Sequence, residues 1–370
     1  MTLAIPRRVN RVRWLDYLVV ALAGFWVLFM IFFLVAAGSF SLMSLPGSTP
    51  PFVFLLVPVV LGLLTAVGSR KRWAMALSLA GFLLGTTQLD VNWRPLPVSV
   101  ADADARELVV FNWNSLMWDE KKDKAAFYQF LQKQNADIYL LQEVLYSASE
   151  HDVESDARLN SPAIPISTVI PGLDADYLTF DKTPEILSYF PGYHLVHQQQ
   201  FLILSRYPIQ NAYLDPSDQF QVADVQIGEH TLRLFNVHIA LHLEFKDPLT
   251  RDFYDALDRR FRVRNIAFDR LHAAIEKTQQ DYIIAGDFNS PKPMGTMRTL
   301  TKQQVDLFRY GQERFPVTFE FNGLRWWRFD YVFANPDHGF QVLGFENIPI
   351  EALSDHNAQR ITLQYLTEEL

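Results

Sequence analysis

Tyr282-Ile283-Ile284-Ala285-Gly286-Asp287-Phe288-Asn289-Ser290 is the stretch on which the reading of this chain turns. Four residues of apolar character run up to a glycine, two polar side chains follow at i and i+2, and Pro291 comes next. A short apolar run bounded by turn residues reads as a buried strand. Extended backbone then puts Asp287 and Asn289 on one face. Asp and Asn also favour plain turns, and the same geometry would serve that reading.

Outward from this segment the arrangement repeats. Apolar strand patterns fall at 107–114, 137–142, 201–205, 220–227, 231–238, 329–334 and 359–366, with helical spacing at 121–134 and about 253–278. Residues 147–183 lack periodicity, are rich in Ser, Pro and Asp, and read as a long surface loop. Strands with interspersed helices predict an α/β layered sandwich. Polar residues stand at the strand ends, where a side chain can leave the sheet and enter a shared cleft: Asn114, Glu143, His238, Asp287, Asn289, Asp330, Asp355 and His356. A phosphoester site needs hard oxygen ligands for Mg²⁺ or Mn²⁺, a base for the attacking water, and donors for charge building on phosphorus. These residues supply all three. Asn112 and Asn114 share one strand face, and the alignment on Trp113 favours Asn114.

The segments Trp113-Asn114-Ser115-Leu116, Leu141-Gln142-Glu143-Val144, Ser205-Arg206-Tyr207-Pro208-Ile209, Asn236-Val237-His238, Gly286-Asp287-Phe288-Asn289-Ser290, Arg328-Phe329-Asp330-Tyr331 and Ser354-Asp355-His356 occur in a telling order. Together they resemble the endonuclease/exonuclease/phosphatase superfamily over about residues 107–366, with a core similar to deoxyribonuclease I, abasic-site endonucleases, neutral sphingomyelinases and inositol-polyphosphate 5-phosphatases. The resemblance implies a four-layered α/β sandwich of the deoxyribonuclease I type. It implies Glu143 as a principal Mg²⁺ (or Mn²⁺) ligand, with Asn114 and Asp355 near the metal. It implies that Asp287 positions or deprotonates the nucleophile and that Asn289 donates to a phosphoryl oxygen. His356, oriented by Asp330, would act on the phosphate, and His238 would protonate the leaving oxygen. A histidine at position 238 leans away from the abasic-site endonucleases.

The first hundred residues read differently. No charge falls between Asp16 and Arg70, and apolar runs at 17–38, 52–68 and 73–89 predict an all-α transmembrane region of two to three helices, since about 20 apolar residues cross roughly 30 Å of hydrocarbon. The expected organisation is an anchor at 1–93, a linker at 94–106 and the catalytic domain at 107–370. Basic clusters at Arg7, Arg8, Arg11 and Arg13 and at Arg70, Lys71 and Arg72 belong on the cytoplasmic side. Three spans would put everything after Leu89 outside the cytoplasm, periplasmic or extracellular; two would return it.

Charge divides the same way. Residues 1–100 hold 8 Lys/Arg and 2 Asp/Glu, so of the chain's 33 and 41 the remainder keeps 25 and 39, a balance of −14. That disfavours tight sequence-independent nucleic-acid binding, which rests on cations neutralising phosphates. The absence of cysteine excludes disulfides, zinc-thiolate sites and a thiol nucleophile. The expected function is a membrane-anchored, metal-dependent phosphoesterase whose partners are the bilayer and a phosphoester, such as a lipid headgroup. The alternatives are an extracytoplasmic nuclease and a catalytically idle subunit of a membrane complex. Arg206 reads as a structural ion-pair residue, His194, His197 and His242 as structural, and Arg259, Arg260, Arg262 and Arg264 as a solvated helix face.

Overall fold

The computed structural model describes residues 8–65, 71–102, 106–120, 122–147, 164–165, 177–244, 246–350 and 353–365. Arg7 and Arg70 lie outside these residues, as does most of the segment expected as a surface loop. The side chains of Arg8, Arg11, Arg13 and Lys71 are likewise not described. The chain forms two units, one of Met1–Asp90 with Pro291–Met297, the other of Val91–Ser290 with Arg298–Leu370.

The first unit is helical. Its helix α1 (Arg8–Ala36) contains Trp14–Ala36, long and apolar enough to cross a membrane. At 1.5 Å per residue those 23 residues rise about 35 Å. α2 (Val53–Leu64) and α3 (Lys71–Thr86) are shorter, so the second and third expected spans are not matched by helices of spanning length among the described residues. Phe33 stacks on Phe54 with ring centroids 5.3 Å apart. Pro291–Met297 belongs here because glycines let its backbone come close: a β-carbon on Gly47 would sit 2.9 Å from Met294 Cα. Lys292 Nζ donates to the Leu89 carbonyl at 2.8 Å.

The second unit is built on two six-stranded mixed sheets. In chain order the strands are β1 (Glu107–Asn114), β2 (Ile138–Gln142), β3 (His194–Gln198), β4 (Phe201–Ser205), β5 (Ile209–Leu214), β6 (Phe220–Ile227), β7 (His230–His238), β8 (Tyr282–Asp287), β9 (Val305–Asp306), β10 (Asp330–Ala334), β11 (Phe340–Ile348) and β12 (Ala358–Tyr365). One sheet runs β11-β12-β1-β2-β4-β3 and the other β9-β10-β8-β7-β6-β5. β1–β2 and β7–β8 are parallel pairs, and the remaining pairings are antiparallel.

Alternation along the strands explains the layering. Leu108 and Val110 of β1 join Leu140, Leu234, Ile283, Val332 and Leu363 in a core between the sheets. Val109, Phe111 and Trp113 point the other way, onto Phe127, Tyr128 and Leu131 of helix α4 (Lys124–Gln134). Asp123 caps that helix by accepting from Ala126 N at 2.8 Å, satisfying one of its free amides. On the second sheet's outer face lies α5 (Arg251–Glu276), whose Phe268 ring lies 6.3 Å from that of Phe288. The order helix, sheet, sheet, helix is the four-layered sandwich expected. Rings such as Trp113 and Phe127 are wholly buried, and truncating either to Ala costs about 3–5 kcal/mol.

Strands β3, β5 and β11 and the hairpin of Phe319–Phe321 and Leu324–Trp327 have no counterpart in the sequence reading. Residues 92–102 are fastened to this unit: Asn92 Nδ2 donates to Gly311 O at 3.1 Å and Asp102 N to Gln364 Oε1 at 2.8 Å.

Candidate active site

The parity that buries Leu108 and Val110 between the sheets carries on to Asn112 and Asn114. The same holds for Leu140 then Gln142, Leu234 then Asn236 and His238, and Ile283 and Ala285 then Asp287. The space between the sheets is therefore apolar at one end and polar at the other. Asn112, Gln142 and Asn236 form a buried amide chain: Gln142 Nε2 donates to Asn112 Oδ1 at 2.9 Å and to Asn236 Oδ1 at 2.6 Å. Gln359 joins it, accepting from Asn112 Nδ2 at 3.0 Å and donating to the Asp330 carbonyl at 3.1 Å. Asn112 thus belongs to the scaffold, and Asn114 reaches the site.

Asp287 is the hub. Its Oδ2 accepts from Asn114 Nδ2 and Asn289 Nδ2, each at 3.1 Å, and lies 3.6 Å from His356 Nε2 and 3.8 Å from His238 Nε2. Strand register makes this: His238 of β7 is paired with Asp287 of β8, and Asp287 with Asp330 of β10. Burial pushes the Asp287 carboxyl up to about 8, against the pull of His356. Asn289, in the left-handed region at φ +46°, gives its second amide hydrogen bond to the Ile239 carbonyl at 2.9 Å. In this state it orients Asp287.

His356 Nδ1 is 2.8 Å from Asp330 Oδ2. Burial alone would lower this imidazole, but Asp330 and Asp287 hold it well above the usual range. His238 behaves oppositely: burial, with His356 nearby, depresses it to about 3, so its ring is neutral. Its Nδ1 lies 2.5 Å from Gln200 Oε1, a carbonyl oxygen that can only accept, so Nδ1 carries the proton and the Nε2 lone pair faces Glu143 and Asp287.

Glu143 follows β2 in the left-handed region at φ +56° and accepts from Asn114 Nδ2 at 3.0 Å. Ser354 Oγ donates to the Asn114 carbonyl at 2.8 Å and accepts from His356 N at 3.0 Å, tying the 354–356 turn to β1. Burial raises the Asp355 carboxyl, and Glu143 adds to the effect. Asp355 Oδ1 is buried with no hydrogen-bond donor among the described residues. An orphaned carboxylate oxygen beside a second carboxylate is the donor set a hard divalent cation satisfies. Ligand atoms of Asp287, Asp330 and His356 also lie within 4.8 Å of one another. There the imidazole is protonated and bonded to Asp330, so that group holds a proton better than an ion.

Glu143, His238, Asp287, Asn289, Asp355 and His356 line one cleft of about 240 Å³. Asn114 and Asp330 stand behind it. All eight residues singled out in the sequence therefore converge.

Two of the four helix arginines correct the sequence reading, while Arg259 and Arg262 are exposed as expected. Arg260 and Arg264 are 2 % exposed, on the buried stripe of α5 with Leu257, Ala267 and Leu271. Arg264 donates to the Ala240 and Phe288 carbonyls and to Ser290 Oγ, bracing the turn that carries Asp287 and Asn289. Their i, i+4 spacing on the apolar stripe was the available signal. Gln200 and Lys122 were also missed. Lys122 donates to the Ser115, Leu116 and Trp118 carbonyls of a turn whose residues 116–118 are all left-handed. His242 Nδ1 meets the Asn289 carbonyl at 3.2 Å, and Arg206 pairs with Asp137 at 3.2 Å, both in structural roles as expected.

A two-sheet sandwich with a carboxylate–histidine–amide cleft between the sheet ends is the frame of a phosphoester hydrolase. The model of the Endonuclease/Exonuclease/phosphatase family matches residues 111–356, and the chain belongs to that family, whose members are hydrolases acting as nucleases and phosphatases. Among solved structures the chain is similar to an endonuclease/exonuclease/phosphatase family protein from Leptotrichia buccalis, with 13 % identity and a TM-score of 0.46 over 70 % of this chain and 100 % of that one. It is similar to an AP endonuclease from Leishmania major, with 16 % identity and a TM-score of 0.46 over 74 % and 94 %. It is similar also to an AP endonuclease from Archaeoglobus fulgidus, with 14 % identity and a TM-score of 0.44 over 69 % and 98 %. No curated protein matches the sequence.

Proposed function

We propose that the protein is a membrane-anchored, divalent-metal-dependent phosphoesterase that hydrolyses a phosphodiester or phosphomonoester at the membrane surface. The observation that carries this reading is the convergence on Asp287 Oδ2 of two amides and two histidines, beside a buried carboxylate oxygen that accepts no hydrogen bond among the described residues. Glu143 and Asp355, with Asn114 beside them, would hold Mg²⁺ or Mn²⁺. The ion, when bound, supplies charge to the phosphoryl oxygens and a more acidic water.

The chain's own residues account for the proton traffic. Water adds to phosphorus, its proton passes to Asp287, and the P–O bond to the leaving alcohol breaks. Asp287 hands the proton it took to the Nε2 lone pair of His238, 3.8 Å away, and the imidazolium so formed gives it to the leaving alkoxide, which returns both groups to their starting states. His356, kept cationic by Asp330, offers Nε2–H to the charge growing on the phosphoryl oxygens.

Anchoring is supported by Trp14–Ala36, which leaves Phe25, Leu28 and Val35 exposed and so in need of an apolar solvent. A lipid headgroup fits such a tether, which raises the effective concentration of a membrane-borne substrate. Three spans would put the catalytic unit outside the cytoplasm. The test is hydrolysis by the full chain of bis-p-nitrophenyl phosphate, phospholipids and single- and double-stranded DNA with Mg²⁺ or Mn²⁺, against Asp287→Asn and His356→Ala. Metal-dependent turnover lost in both variants is expected. Turnover that survives both would place the chemistry elsewhere, and faster turnover of DNA than of any lipid would favour a nuclease.

A further inference from the structure

We infer that the cleft takes a phosphoester bearing a single phosphate and an apolar ester arm, and that it excludes polyanions. This rests on the phosphoesterase reading above and narrows its substrate.

The cleft is polar on its floor and apolar on its walls. Against Glu143, Asp287 and the two histidines stand Leu116, Met117, Leu145, Leu241 and Phe319. Leu116 is 37 % exposed and Leu241 44 % exposed, so an aliphatic arm laid over them removes apolar surface from water on both sides. Leu145, by contrast, is already buried at 1 % exposure and gives a fixed wall.

Cations point elsewhere. Among the described residues that line the cleft, Arg260 is the one Arg or Lys, and it is committed: Nη1 donates to the Leu241 carbonyl at 2.7 Å and Nε to Glu244 Oε1 at 2.9 Å. The imidazolium of His356 is bonded to Asp330 and serves the reacting phosphate. Lys122 is spent on the carbonyls of the 115–118 turn. A second phosphate would therefore face carboxylates with no free counter-charge, whereas binding a nucleic-acid backbone requires a cationic track. Size agrees: about 240 Å³ is below the roughly 300–1,000 Å³ of sites for drug-sized ligands, room for one phosphoryl group and the start of an arm.

The test uses the full chain with Mg²⁺ and a homologous series of alkyl p-nitrophenyl phosphates, methyl to octyl, kept below micelle formation, with a short oligodeoxynucleotide in parallel. We expect kcat/KM to climb by about three- to fourfold for each methylene that seats, until the walls are covered. The oligonucleotide should turn over far more slowly than the longer esters. Leu241→Lys and Leu116→Lys, both at part-exposed positions, should flatten the series and speed the oligonucleotide. A flat series in the unaltered protein, or an oligonucleotide hydrolysed faster than the octyl ester, would overturn the inference while leaving the phosphoesterase intact. No turnover of any ester would instead overturn the reading on which it rests.

Discussion

Asp287 and Asp330 stand directly opposite one another on antiparallel β8 and β10, with the two nitrogens of His356 at 3.6 Å from the first carboxylate and 2.8 Å from the second. Like charges opposed across a sheet destabilise it, and one shared imidazolium offsets that cost. Asp330 Oδ1 has no hydrogen-bond donor among the described residues, so its carboxylate depends on the histidine. Asp330→Asn removes the charge that keeps His356 cationic. Activity should fall by roughly 10²–10⁴-fold in kcat, the usual contribution of a positioned proton-transferring group, with KM little changed. Loss confined to KM would show that Asp330 serves binding alone.

Gly286 sets the geometry just ahead of this pair. Its φ of +145° is open only to glycine, and a β-carbon there would overlap the Val237 carbonyl of the neighbouring parallel strand. Gly286→Ala must part β7 from β8, the strands that bring His238 beside Asp287. The expected loss of stability is about 3 kcal/mol or more, among the larger single-site effects. Thermal melting of the variant checks it, and an unchanged midpoint would refute the overlap.

Much of this was legible in the sequence because the physics is local. The alternation that ends in Asn114, His238 and Asp287 needs only a strand and a parity, and ordered motifs supplied Asp330 and His356. What escaped depends on distant partners. Arg264 is charged, so it reads as solvated until the carbonyls of Ala240 and Phe288 are seen around it. Gln200 is one polar residue in the turn just ahead of β4, and its service to His238 appears only when β7 lies across from it. Strands β3 and β5 lack clean alternation, being half-exposed sheet edges, and among the described residues the apolar runs at 52–68 and 73–89 hold helices of 12 and 16 residues, because apolarity does not fix where a helix ends.

Arg264 therefore makes its own prediction. Burial lowers its guanidinium to about 9, yet it supplies donors to three acceptors under the Asp287–Asn289 turn. Lysine cannot reproduce that fork. Arg264→Lys should lower stability by about 1–3 kcal/mol, the cost of acceptors left unpaired, and should lower activity in the surviving folded fraction. Urea unfolding gives the first and kcat per folded molecule the second. Full activity in the folded fraction would reduce Arg264 to a stability role.

Acid stability should show two windows. Burial holds His242 down to about 3, so its contribution is complete above the unfolded value of 6.5 and is lost as pH falls toward 3. Asp224 is partly buried, which raises its carboxyl, but hydrogen bonds from Arg233 at 2.7 and 2.9 Å leave it below the ordinary value of 3.8. Its contribution is complete above 3.8 and is lost only as pH falls through the lower folded value. Urea midpoints measured from pH 7 to 2.5 should flatten between about 6 and 4 in His242→Gln and below about 4 in Asp224→Asn. The reverse assignment would contradict both environments.

Removal of the metal is the sharpest test of the carboxylate pair. If Glu143 and Asp355 hold a divalent cation, chelation should abolish turnover and Mg²⁺ or Mn²⁺ should restore it, while secondary structure persists because backbone ladders and the apolar core between the sheets hold the strands. Glu143→Gln keeps the shape and the hydrogen bond from Asn114 but halves the charge offered by the pair. Its metal affinity, read by Mn²⁺ titration calorimetry, should weaken by about 10–100-fold, on the scale of a perturbed ligand shell. Asp355→Asn should do likewise, since its buried Oδ1 accepts no hydrogen bond among the described residues and lies 3.9 Å from His356 Nε2, its charged neighbour. His356→Ala, one residue away, should lose turnover yet bind Mn²⁺ nearly as the unaltered protein does. Were His356→Ala to abolish metal binding while Glu143→Gln left it intact, the ion would belong with Asp287, Asp330 and His356 instead.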